Sequence, residues 1–108
     1  MAQLPDPKSK QIAEALAKAN DFRLKRSALK HDLGALRVDA LAKLLDPPEW
    51  LLQMPTIDFV MALPRVGRHR ALVFINSISA GELREIGKLT PRQRAVLYET
   101  LAGALSFR

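Results

Sequence analysis

The chain contains no cysteine, which excludes a disulfide framework, a thiolate zinc site, an iron–sulfur cluster and a cysteine nucleophile. Aromatic residues are sparse, at 6% of 108 positions, and no apolar run approaches the roughly 20 residues needed to cross a bilayer. Met1 to Pro7 carry no charged segment followed by an apolar one, so neither a secretory leader nor a membrane anchor is expected, and the cytoplasm is the expected location. His31 and His69 have no second histidine or carboxylate at ligand spacing, so no metal is expected. There is no glycine-rich nucleotide loop and no Ser-His-Asp set. The carboxylates at 6/14, 46/49 and 82/85 sit at expected helix starts or on exposed faces, where capping accounts for them. The expectation is a noncatalytic protein without a cofactor.

Positive charge is what the sequence does have. Seventeen Lys and Arg face eleven Asp and Glu, a formal net charge of +6 on a chain that is 48% hydrophobic. That apolar content is too high for a disordered tail, so the charge sits on a folded body. It is also segregated: residues 1–33 carry +3, residues 34–62 carry −2 and residues 63–108 carry +5. Basic ends around an acidic, Leu-, Val- and Met-rich middle point to a surface made for an anion, with nucleic acid as the first partner to consider.

Every readable segment points to helix. From Ser9 to Leu33 there is neither Gly nor Pro, and Ala, Leu, Lys and Glu dominate, so a long helix ending at Gly34 is predicted. A second helix is predicted from Val38 to Leu45, stopped by Pro47. Capping logic marks three further starts, at Asp46-Pro47-Pro48-Glu49, Ser79-Ala80-Gly81-Glu82 and Thr90-Pro91-Arg92-Gln93. Thr56–Leu63 and Arg68–Asn76 supply apolar faces between them. The expected fold is all-α: a basic N-terminal helix over 1–34, then a compact bundle of short helices over 35–108.

The segment richest in chemistry is Leu63-Pro64-Arg65-Val66-Gly67-Arg68-His69-Arg70-Ala71. A glycine at a turn lets backbone approach a phosphate without a Cβ in the way, and the amides of the next helical turn form an anion-binding N-terminus. Arg65, Arg68 and Arg70 add charge at the same point, and Ala71 allows close helix approach. This pattern resembles the hairpin of helix-hairpin-helix and helix-two-turns-helix modules.

Taken with the Ala-rich basic first helix, Leu52-Gln53-Met54 and Lys88-Leu89-Thr90-Pro91-Arg92-Gln93-Arg94, the chain resembles the actinobacterial integration host factor family along nearly its whole length. The resemblance implies a helix-two-turns-helix, nucleoid-associated protein that binds and bends or compacts duplex DNA and assists site-specific recombination. It further implies a recombinase or integrase complex as partner. A monomer in solution is expected. One departure is that Glu85 and Gly87 stand where the family carries arginines, leaving Arg84 and Lys88 of that cluster.

The expected DNA-binding residues are therefore Pro64, Arg65, Val66, Gly67, Arg68, His69 and Arg70, with Arg84 and Lys88 extending the footprint. Arg23, Arg26 and Lys30, at three-to-four spacing on the first helix, would track the duplex. Pro64 is a candidate wedge at a base step, its alternative being a rigid turn residue. Arg92 and Arg94, at a helix N-terminus, suggest an anion nearby. The competing reading is an RNA- or ribosome-associated interaction module, because a ribosomal protein carries the same two-turn motif. A repair glycosylase on that module is excluded by size and by the lack of a nucleophile.

Overall fold

The stretch without Gly or Pro folds as one helix, α1, over Pro7–Gly34 in the computed structural model, which describes residues 7–81 and 84–108. Asp6, Glu82 and Leu83, used above in capping and in the basic cluster, lie outside the described residues. Past Gly34, the Leu36 amide bonds the Leu33 carbonyl at 3.0 Å and the Arg37 amide bonds that of Asp32 at 3.1 Å. This is a Schellman ending. Its left-handed residue is Leu36, at φ 58°, whereas Gly34 has an ordinary negative φ.

The remaining helices are short: α2 (Val38–Leu41), α3 (Thr56–Met61), α4 (Arg68–Ser77) and α5 (Pro91–Ala104). The predicted second helix is four residues of α-helix running into a 3-10 turn over Ala42–Leu44. Two more 3-10 turns cover Glu49–Leu51 and Ile86–Lys88. The described residues are all helical or loop; a single isolated bridge pairs Pro55 with Glu85.

The three capping signals fare differently. Thr90 forms the full box: Gln93 N donates to Thr90 Oγ1 at 3.1 Å, and Thr90 N donates to Gln93 Oε1 at 2.9 Å. Gln93 Nε2 also donates to the Ile78 carbonyl at 3.1 Å, tying the start of α5 to the end of α4. Asp46 caps nothing; Pro48 occupies the N-cap position of the 3-10 turn, and Glu49 reaches Lys18 on α1. Ser79 is the opposite of a helix start. It takes φ 59°, its amide bonds the Asn76 carbonyl, and the Ala80 amide bonds that of Ile75, so it closes α4 by a second Schellman ending.

Leu29 and Leu33, on the last turns of α1, share one core with Leu41, Phe59, Ile75 and Leu101. Residues 7–21 of α1 are all exposed and project from that core, giving the molecule a longest extent of 62 Å against 26 and 23 Å. The segment from Arg84 to Leu89 is laced onto the start of α3. Thr56 donates both its amide, at 2.9 Å, and its hydroxyl, at 2.8 Å, to the Arg84 carbonyl, while Ile86 N bonds Met54 O and Gly87 N bonds Leu52 O. Thr56 is fully buried. Thr56→Val keeps its shape and removes one of the two donors, so a loss of about 1 kcal/mol is expected in denaturant unfolding.

Candidate nucleic-acid interface

The loop between α3 and α4 is fixed by two apolar anchors. Leu63 and Val66 are buried, and between them Pro64 and Arg65 make a turn closed by the Val66 amide on the Leu63 carbonyl at 3.4 Å. Proline at the second position and a left-handed residue at the third are the demands of a type II turn. The left-handed residue is Arg65, at φ 63°. Gly67 lies at φ −81° and ψ −179°, a conformation open to any residue. The expectation that Gly67 makes the turn is therefore corrected, as is the expected contact role of Val66, whose side chain is held in the core.

What Gly67 does provide is open space and a helix start. A Cβ built on it meets nothing within 4 Å. It is the N-cap of α4, where no side chain caps the first turn and no acidic residue sits in it. The Ala71 amide takes the Gly67 carbonyl at 2.9 Å as the first intrahelical bond, and Ala71 itself is buried. Arg65, Arg68, His69 and Arg70 are all exposed around this end. Arg70 lies over the Phe74 ring, 5.6 Å from its centroid, which orients its guanidinium. Cations at the positive end of a helix dipole repel it, and an anion seated between them reverses the sign of that term.

Because the turn needs a left-handed residue at its third position, Arg65 carries backbone strain that glycine would not. Arg65→Gly is expected to raise unfolding stability by about 1 kcal/mol. It also removes one charge from the cluster, so stability and anion affinity should move in opposite directions; thermal melts beside a DNA titration check this.

Next to the turn, a cleft of about 630 Å³ is walled by Gly34, Pro64, Arg65, Leu105 and Arg108 among others. Pro64 is half-buried in that wall. Arg108 comes there because its backbone pairs with the α1–α2 link, through Arg108 N to Leu36 O and Val38 N to Arg108 O, both 2.8 Å. Arg108 and Arg37 also share a second, smaller depression with Asp39. Sequence reading missed both arginines as neighbours of the site, since nothing local marks a pairing between residues so far apart in the chain.

Arg23, Arg26 and Lys30 do share one cleft, of about 330 Å³, with Ser27, Met54, Pro55 and Asp58. Their roles within it differ. Arg26 is half-buried and its Nε donates to the Trp50 carbonyl at 2.6 Å, holding the Glu49–Leu51 turn against α1. Arg23 bonds Asn20 Oδ1 at 2.8 Å while staying exposed, Lys30 is exposed, and the Asp58 carboxylate offsets part of their charge. Arg84 projects outward beside Thr56, and Lys88 lies 3.8 Å from Glu85. Arg94, read as an anion signal, instead turns inward and donates from Nη1 to the Leu89 carbonyl at 2.9 Å; Arg92 stays exposed.

Gly87 changes the meaning of the altered basic cluster. A Cβ there would lie 2.9 Å from the Leu52 carbonyl oxygen and 3.0 Å from Leu52 Cβ. The position is a close backbone crossing that excludes any side chain. Among the described residues no group of three or more His, Asp or Glu could hold a metal ion, and no helix is long and apolar enough to cross a membrane. No family model matches this chain, and no curated protein or solved structure matches it.

Proposed function

We propose that this chain is a noncatalytic, architectural double-stranded DNA-binding protein of the nucleoid, built on a helix-two-turns-helix module formed by α3, the Leu63–Gly67 turn and α4. The observation that carries the proposal is the convergence of Arg65, Arg68, His69 and Arg70 on the α4 N-terminus, which has neither a side-chain cap nor a first-turn acid. A phosphate seated there accepts backbone amides and charged side chains together. Contacts of this kind position a duplex without reading its bases, so affinity depends weakly on sequence.

The cleft bearing Arg23 and Lys30 extends the footprint along α1, and Arg84 with Lys88 supplies a lesser contact. Attachment at separated points along an elongated body favours a bent or compacted duplex, and such a protein would serve a recombinase or integrase complex as a shaping factor. The sequence resemblance to the actinobacterial integration host factors supports the same reading.

Competition between a random DNA duplex and a structured RNA of equal length, with end-to-end energy transfer on the duplex, tests it. Duplex DNA is expected to bind more tightly and to shorten. Tighter binding of the RNA would transfer the surface to an RNA- or ribosome-associated module.

A further inference from the structure

The part of α1 that projects beyond the core continues the stripe by which α1 packs. Leu33 and Leu29 are buried, and Arg26 and Phe22, one and two turns further up, are half-buried. Steps of three and four residues carry the same stripe through Ala19, Ala15 and Ile12, where nothing lies opposite. Ile12 is 54% exposed and the adjacent Leu16 67%. Nucleic-acid tracking accounts for lysines on this helix but not for branched aliphatic side chains held in water.

The chain's own packing shows what chemistry suits the seam. Its last occupant is the Glu49–Leu51 turn, which buries Leu51, gives the Trp50 carbonyl to Arg26 and pairs Glu49 with Lys18 at 2.9 Å. An apolar residue with an acidic flank is thus already seated where the covered part ends. Above it the described helix holds Lys8 and Lys10 against Glu14. A second copy would bring the same excess of cations against itself.

We infer that the Ile12–Ala19 stripe of α1 is a docking surface for an amphipathic helix of a partner protein whose apolar face is flanked by Asp or Glu. The uncovered length, residues 7–21, spans on the order of 20 Å, enough for four turns of a partner helix. This surface is separate from the α4 N-terminus, so it stands or falls independently of DNA binding.

A fluorescent synthetic peptide of about 20 residues, with Leu and Ala at its heptad core positions and Glu beside them, is the probe. Titrated with the full chain at physiological salt, it is expected to bind saturably and to lose roughly tenfold in affinity to the double variant I12Q/L16Q. Arg65→Gly should leave the peptide affinity unchanged. Both substituted residues are exposed, and circular dichroism checks that α1 persists. No binding, equal binding to the double variant, or equal binding of a scrambled peptide of the same composition overturns the inference. So does a dimer in sedimentation that the double variant dissolves, since the seam would then hold a second copy.

Discussion

Gly67→Glu is expected to weaken binding to a random DNA duplex by roughly a hundredfold while leaving the fold as stable as before. The backbone at Gly67 suits any residue, and the new side chain enters open space. A carboxylate beside the uncapped first turn of α4 also complements the helix dipole, which adds about 0.5 kcal/mol to stability. The same carboxylate stands where a phosphate would sit. Losing one or two charge-assisted hydrogen bonds of about 1.5–3 kcal/mol each accounts for the hundredfold. A fold defect cannot mimic this outcome, because melting temperature holds or rises while affinity collapses. Retained affinity would remove the α4 N-terminus from the interface.

Gly87→Ala is expected to be the most destabilising single-methyl change in the chain. The added Cβ falls 2.9 Å from the Leu52 carbonyl oxygen, and that oxygen also accepts the Gly87 amide at 2.8 Å. Separating the two segments breaks this bond and strains its neighbour from Ile86 to Met54. Overpacking together with a lost buried hydrogen bond costs roughly 2–4 kcal/mol, a fall in melting temperature of about 10 °C or more. Gly87→Arg, which restores the residue type carried by the resembled family, should lose at least as much stability. Glu85→Gln, at a half-buried position whose carboxylate lies 3.8 Å from Lys88, should change stability by less than about 0.5 kcal/mol. A melt of Gly87→Ala indistinguishable from that of the unaltered chain would contradict the crossing.

Those two glycines show where sequence reading succeeds and where it stops. The pattern around Gly67 located an exposed cationic turn correctly, yet assigned the turn's left-handed geometry to the glycine when Arg65 holds it. Proline at 64 is compatible with either assignment until the hydrogen bond from Val66 to Leu63 is known. Gly87 looked like a lost arginine because its neighbour Leu52 is distant in the chain and close only in the fold. The long first helix and the Thr90 box were legible, because propensity and capping are local. Ser79 was not, since a short polar residue suits a helix N-cap and also tolerates the left-handed ending it actually makes. Arg26 and Val66 carried the right type or spacing for contact, and tertiary packing turned one onto the Trp50 carbonyl and the other into the core.

The salt dependence of affinity for a random DNA duplex tests the central claim most directly. With three arginines around the α4 N-terminus engaging phosphates, log K is expected to fall against log salt with a slope of magnitude about 3 or more, each contact contributing about 0.9. Arg65→Gly should reduce that magnitude by about 1 without loss of stability. Absence of duplex binding at low salt, or a slope that Arg65→Gly leaves unchanged, would contradict the account.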